Sequence, residues 1–199
     1  MSAVPGSVRR MGRIVFDTAA TINGWIADEH DSLSWLFAVP GGEEPDEGLL
    51  PQGATVMVEG RTTYEWVLRE SGILEAPEKW QEFHGTRPTF VFTHRELPVP
   101  DGADIRFVSG SVAEALPAIR EAAGDGDIWV VGGGDLAGQF FDAGALDELA
   151  VSIAPVALAG GAPLFPRRVE SDRLHLESAE AVGQFARLRY RILAAETTA

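Results

Sequence analysis

The sequence predicts an α/β fold: a mixed, mostly parallel central sheet with helices on both faces and an antiparallel C-terminal edge. Three observations lead there. Apolar, β-rich segments alternate with helical ones up to about residue 150. Ile128–Val131 (IWVV) is a continuous apolar run, as expected of a strand buried on both faces. Strands then dominate, ending in Leu174–Ala179 and Phe185–Ile192, an antiparallel pair joined through Gly183.

The elements follow in order. Arg13–Ala20 (RIVFDTAA) reads as the first strand. Thr21-Ile22-Asn23-Gly24 makes a turn, since Asn and Gly tolerate positive φ, and Trp25-Ile26-Ala27 resumes an extended path. Asp28 to Gly53 is polar and rich in Pro and Gly, with a short helix expected at Ser32–Ala38, capped by Ser32 or Asp31. The rest of that stretch reads as a long loop. Ala54–Val58 is a strand, and a helix carrying Tyr64, Trp66 and Val67 begins near Thr62. Glu75–Gly85 is a weaker segment around Trp80 and Phe83. Thr89–Thr93 and Ile105–Val108 are strands, separated by a turn at Pro98 to Asp104. Ser111-Val112-Ala113-Glu114 is a capping box, and it opens a helix with Val112, Leu116 and Ile119 on one face. Pro117 removes one hydrogen bond from that helix, and Gly124 ends it. After Ile128–Val131 come three glycines, a helix around Leu136–Ala143 closed by Gly144, and the strand Leu149–Ala154 ended by Pro155. The five tryptophans read mostly as core or interface residues.

The chain has 199 residues and 45% hydrophobic content, enough for one domain with a real core. The expected division is a loose tail at 1–12, a single domain at 13–193 and a tail at 194–199. There are no cysteines, which excludes disulfides, thiolate metal sites and a cysteine nucleophile. A net charge of −14 argues against nucleic acid as a partner. No run of about 18 apolar residues stands out to span a membrane. The N-terminus lacks the apolar core of a secretion signal, so a cytoplasmic location is expected. Lys79 is the one lysine, and the basic groups are otherwise arginine, which suits local pairing with a phosphate.

Three segments carry candidate chemistry. Gly132-Gly133-Gly134-Asp135-Leu136 runs from a buried strand into a helix. Without Cβ atoms a diphosphate can approach the backbone, and a helix N-terminus offers free N–H groups. The spacing Gly132-x-Gly134-x-x-Ala137 formally fits the dinucleotide fingerprint, but no acidic residue ends a strand about 20 residues on, as that fingerprint requires. Gly60-Arg61-Thr62-Thr63 also follows a strand. Alone, it reads as a helix cap. Thr93-His94-Arg95 closes the third long strand and alone reads as a solvated loop. Together, three strand ends with phosphate-compatible residues fit one dinucleotide lying across a sheet edge.

These residues resemble the dihydrofolate reductase superfamily, in the branch similar to the C-terminal reductase domain of the bifunctional riboflavin-biosynthesis deaminase–reductase. The resemblance runs from about residue 13 to 193. It rests on Thr21-Ile22-Asn23-Gly24-Trp25-Ile26-Ala27, Glu59 to Glu65, Val91-Phe92-Thr93-His94, Val130 to Leu136, and Leu146 to Leu149 leading to Gly160-Gly161-Ala162-Pro163-Leu164-Phe165-Pro166. It implies a three-layer α/β fold and NADPH as hydride donor. It implies that Ala19, Ile26 and Ala27 border the nicotinamide, and that Arg61, Thr62 and Thr63 hold phosphates. Thr93, His94 and Arg95 would lie near the adenosine and its 2′-phosphate. Gly132, Gly133, Gly134, Asp135 and Leu136 would lie along the diphosphate, with a cis peptide between Gly132 and Gly133. It also implies a small-molecule substrate and a homodimer.

Asp135 stands where dihydrofolate reductases often carry Arg, so its charge is expected to oppose a diphosphate. The substrate-side helix maps best onto Ser32-Leu33-Ser34-Trp35-Leu36. Ser32 then falls at the substrate-acid position, with Asp31 beside it as a candidate proton donor and Asp17 as a further one. The expected activity is NADPH-dependent reduction of a small heterocyclic (pyrimidine or pterin-like) or carbonyl substrate. The alternative is an inactive NADP-binding module on the same fold. No metal site is expected.

Overall fold

The computed structural model describes residues 11–40 and 50–194. The expected tails fall outside these residues apart from Met11, Gly12 and Ala194, as does the 41–49 part of the long loop. The strands are β1 (Ile14–Thr21), β2 (Trp25–Ala27), β3 (Ala54–Gly60), β4 (Thr89–Phe92), β5 (Ile105–Val108), β6 (Asp127–Gly132), β7 (Glu148–Ala154), β8 (Ala162–Pro163), β9 (Leu174–Val182) and β10 (Phe185–Ile192). The helices are α1 (Ser34–Phe37), α2 (Arg61–Ser71), α3 (Glu78–His84), α4 (Val112–Ala123) and α5 (Gly134–Asp142).

Eight strands form one sheet in the order β5-β4-β3-β6-β1-β7-β10-β9, and β2 pairs with β8 beside it. Pairing is parallel from β5 through β7. The β7–β10 and β10–β9 pairs are antiparallel. This is the expected fold class.

Alternation along the strands splits the core between the two faces. One face carries Ile14 and Phe16 of β1, Val56 and Val58 of β3, and Ile128 and Val130 of β6, packed with Ile119 of α4 and Phe140 of α5. At roughly 25 cal/mol per Å2 of apolar surface, this cluster is the main source of stability. The opposite face carries α2 and α3. There Tyr64, Leu68 and Trp80 form a second cluster. Trp35 of α1 packs with Ala19 and Ala154 in a third. Of the tryptophans, Trp35, Trp80 and Trp129 are buried, whereas Trp25 and Trp66 are half-buried.

Several boundaries differ from expectation. The short helix begins at Ser34, with Leu33 as its uncapped N-terminal residue. Neither Ser32 nor Asp31 caps it: the Asp28 carboxylate accepts from the Ser32 and His30 amides and organises the turn instead. Glu75–Gly85 contains a true helix, α3, because Trp80 and His84 on one side of it are fully buried. The helix after the glycines starts at Gly134, two residues earlier than its apolar periodicity shows. Leu116 is half-buried, while Val112 and Ile119 are buried as expected.

The α2–α3 face also buries polar groups. Glu59 near the end of β3 and His84 of α3 are both fully buried, with Glu59 Oε1 2.9 Å from His84 Nε2. The His84 ring stacks on Trp80 at 3.6 Å between centroids. Burial, aided by the Glu59 charge, pushes the nearby Tyr64 hydroxyl up from its usual range. Removing one partner of such a pair leaves an uncompensated buried group. His84→Ala is therefore expected to cost about 3–5 kcal/mol in denaturant unfolding, and Glu59→Met/His84→Leu together to recover most of it.

Candidate functional site

The carboxyl ends of β3, β4, β5 and β6 open onto one cleft of ≈ 390 Å3. Ligands of open α/β sheets bind on this side. All three candidate segments meet there. Gly60, Arg61, Thr62 and Thr63 line it from the β3–α2 junction, Thr93 and His94 from the end of β4, and Gly133, Asp135 and Leu136 from the β6–α5 junction. The expected cis peptide lies between Gly132 and Gly133.

The three glycines do different jobs. A Cβ on Gly132 would lie 2.7 Å from Thr63 Oγ1, and one on Gly134 would lie 2.2 Å from the Pro163 carbonyl oxygen. Those two glycines permit close packing of neighbouring chain. A Cβ on Gly133 would meet nothing within 4 Å, and Gly133 lines the cleft. Only there does the missing side chain leave open space for a ligand.

The helix starts point the same way. α2 begins after Gly60 and α5 after Gly133, and neither has a side-chain cap. α4 begins beside the same cleft but has its capping box complete, with Ser111 Oγ accepting from the Glu114 amide at 3.3 Å. A helix leaves four N–H groups without intrahelical partners. At α2 and α5 those groups are left for another acceptor, and a phosphate is the natural one. Arg61 adds a cation whose one ion pair among the described residues, to Glu65, is long at 3.4 Å with both side chains over a third exposed. The residues present therefore fit a diphosphate.

Asp135 does not oppose that fit as expected. Its carboxylate is held by Gln139 Nε2 at 2.9 Å and by Arg167 Nη1 at 2.9 Å, and these bonds keep it below the usual carboxylate range. Arg167 also reaches Asp142 at 2.7 Å, and its guanidinium occupies the space left by the missing side chain of Gly138.

The remaining expected site residues lie elsewhere. Ala19 and Ile26 are half-buried and Ala27 is buried, away from the cleft lining. Arg95 is exposed and outside the lining, its amide donating to Thr93 Oγ1 at 3.0 Å. Gly132 and Gly134 flank the cleft as packing residues. Asp31 is exposed in a turn at φ 57°. Ser32 is half-buried, with its Oγ accepting from the Ser34 amide at 3.1 Å. Asp17 is not free to act as a proton donor: it forms a buried bidentate pair with Arg187, at 2.7 Å for Oδ1. Burial pushes its carboxyl up, and Arg187 partly offsets this. Sequence reasoning missed Phe92, Val108, Gly110 and Gln139 in the lining. Gly110 was visible as a glycine between strand and helix, but the capping box beside it explained the junction without a ligand.

The geometry defines a dihydrofolate reductase-like fold with an anion-compatible cleft at its strand ends. The chain belongs to the RibD C-terminal domain family, which it matches over residues 13–186. It is 26% identical over 178 residues to the uncharacterized protein YwjB of Bacillus subtilis, covering 89% of this chain and 97% of that one. A Shewanella sp. PV-4 structure ascribed to riboflavin biosynthesis superposes with a TM-score of 0.72 at 26% identity, covering 92% of this chain and all of that one. Two more distant structures share the fold. The Thermotoga maritima diaminohydroxyphosphoribosylaminopyrimidine deaminase/5-amino-6-(5-phosphoribosylamino)uracil reductase gives a TM-score of 0.63 at 16% identity, covering 92% of this chain and 57% of that one. Enterococcus faecalis dihydrofolate reductase, complexed with NADP(H), gives 0.59 at 18% identity, covering 92% and 98%. Among the described residues no helix is long and apolar enough to cross a membrane.

Substitutions separate the glycine roles. Gly134→Ala forces a Cβ into backbone oxygen and is expected to cost about 1–3 kcal/mol in unfolding experiments. Gly133→Ala, at an ordinary φ of −69°, is expected to leave the melting temperature nearly unchanged and to weaken dinucleotide binding in a fluorescence titration.

Proposed function

We propose that this protein is an NADPH-dependent reductase of a small heterocyclic or carbonyl substrate. One observation carries the reading: two uncapped helix starts, Arg61 and the open face of Gly133 converge on a single cleft at the sheet's carboxyl edge. The NADP(H) complex of a dihydrofolate reductase on the same fold supports it. Family membership supports a relation to riboflavin-pathway reductases.

NADPH would supply the hydride. The protein's part is binding, orientation and exclusion of water. Arg61 and the amides opening α2 and α5 would hold phosphates, and Thr62 and Thr63 would add hydroxyl donors. His94, exposed at the end of β4, would face the adenosine end. Ala19, near the carboxyl end of β1, would border the nicotinamide, and Trp35 packs in the same cluster. Ser32 at the substrate-acid position favours a second reading, in which the cleft binds NADP but no turnover follows. The reading includes a homodimer in solution, checked by light scattering.

NADPH fluorescence titration tests the reading. Binding in the micromolar range is expected, and none at millimolar NADPH overturns it. Arg61→Ala is expected to weaken binding about 10- to 100-fold, the worth of a charge-assisted hydrogen bond. Raised salt is expected to weaken the wild type more than the variant.

A further inference from the structure

The loop after β8 brings a cation to α5 from outside the cleft lining. β8 pairs with β2, and the Leu164 amide donates to the Gly24 carbonyl at 2.8 Å. Phe165 packs against Phe16 and Phe141, with ring centroids 6.3 and 5.8 Å away. The chain is thus anchored on both sides of Pro163 before it reaches Arg167. α5 is shaped to receive it. Gly134 and Gly138 lie one turn apart on that helix and so share a face. A Cβ on Gly134 would lie 2.2 Å from the Pro163 carbonyl oxygen, and one on Gly138 would lie 2.6 Å from Arg167 Cζ. The two missing side chains leave the room in which the 163–167 segment lies.

Arg167 sits between two carboxylates of α5. Its Nη1 lies 2.9 Å from Asp135 Oδ1, and its Nε lies 2.7 Å from Asp142 Oδ2. Gln139, one turn after Asp135, donates to Asp135 Oδ2 at 2.9 Å. Asp135 lines the cleft with a side chain 68% exposed, whereas Arg167 and Asp142 are outside the lining. An unperturbed aspartate titrates at about 3.9, so Asp135 is ionised at neutral pH with or without Arg167. In the first turn of a helix, a carboxylate is drawn to the same positive end that a phosphate would occupy. With Arg167 in place, both Asp135 oxygens are engaged by side chains. Without it, Oδ1 is released beside the amides that open α5, and Asp142 loses its ion-pair partner as well.

Resting on the reductase reading, we propose that Arg167 is a positioning residue for the diphosphate of the dinucleotide. It acts through Asp135. By holding that carboxylate it keeps the α5 amides open to phosphate and lowers the negative charge that the ligand meets at the β6–α5 wall of the cleft.

Calorimetric titration of the full chain with NADP+ tests it, with the melting temperature of each variant measured alongside. Arg167→Gln keeps most of the side chain's length and removes its charge. It is expected to weaken NADP+ binding about three- to fivefold, the upper range for an exposed charge pair. Adding Asp135→Asn to Arg167→Gln is expected to bring the Kd back to within about twofold of the wild type, because the two residues are in contact and their effects do not add. Arg167→Lys, which keeps the charge but not the fork, is expected to fall between the wild type and Arg167→Gln. The loss in Arg167→Gln relative to the wild type is also expected to shrink as salt is raised, since repulsion between exposed charges is screened. A residue that only packs against α5 would show neither the rescue nor the salt response. Unchanged affinity in Arg167→Gln overturns the proposal, as does equal weakening in the single and double variants. In both cases the wild type still binds NADP+, and the reductase reading stands. Absence of NADP+ binding to the wild type overturns both.

Discussion

Two helices, α2 and α5, begin at the carboxyl edge of a parallel sheet with no side chain to cap them. The cleft depends on that constraint. A strand that feeds directly into a helix through glycine aims the helix's first amides at whatever lies beyond the strand ends. Because β3 and β6 are neighbours in parallel, with Val58 opposite Val130, the two helix starts come side by side. Gly132 lets Thr63 of one helix approach the strand leading into the other. The anion-compatible surface is thus a product of register, not of any one motif.

The sheet's other face shows how that register is held. Glu59 immediately precedes the Gly60–Arg61 turn and is tied to α3 by His84. Asp17 is tied to β10 by Arg187, and Glu148 at the start of β7 is tied to Arg13 and Arg189. A buried ion pair contributes little net stability against a hydrophobic equivalent, because desolvation consumes most of the Coulomb gain. The effect here is geometric: a slipped strand would bury Glu59, Asp17 or Glu148 away from the partner that holds it.

The sequence made these two levels unequally visible. The cleft was legible because each of its parts is local. Glycines, threonines and an arginine follow strands within four residues, and the apolar run IWVV marks the strand that brings them together. Helix caps in the Asp28–Ala38 stretch were misread, because Ser and Asp compete there for the same backbone amides and Asp28 wins them. The pairs were not legible at all. Asp17 and Arg187 are 170 residues apart, and His84 sits in a segment whose periodicity is too weak to show that it is buried. Arg167 lies 32 residues from Asp135, past the strands β7 and β8, so only the unfavourable charge of Asp135 could be read.

That last pair bears on how so acidic a protein can present an anion-compatible cleft. A net charge of −14 repels phosphate at long range, but exposed charges are largely screened beyond about 8 Å at physiological ionic strength. Inside that distance the balance is local. Arg61 lines the cleft, and Arg167 and Gln139 take up the Asp135 carboxylate at 2.9 Å each. The helix amides contribute roughly half a positive charge at each N-terminus. Arg61 and Arg167 are balanced in part by Glu65, Asp135 and Asp142, so the helix N-termini are the positive ends without a counter-charge of their own. The surplus of acid elsewhere acts on the rate at which an anion approaches rather than on the local geometry of the cleft.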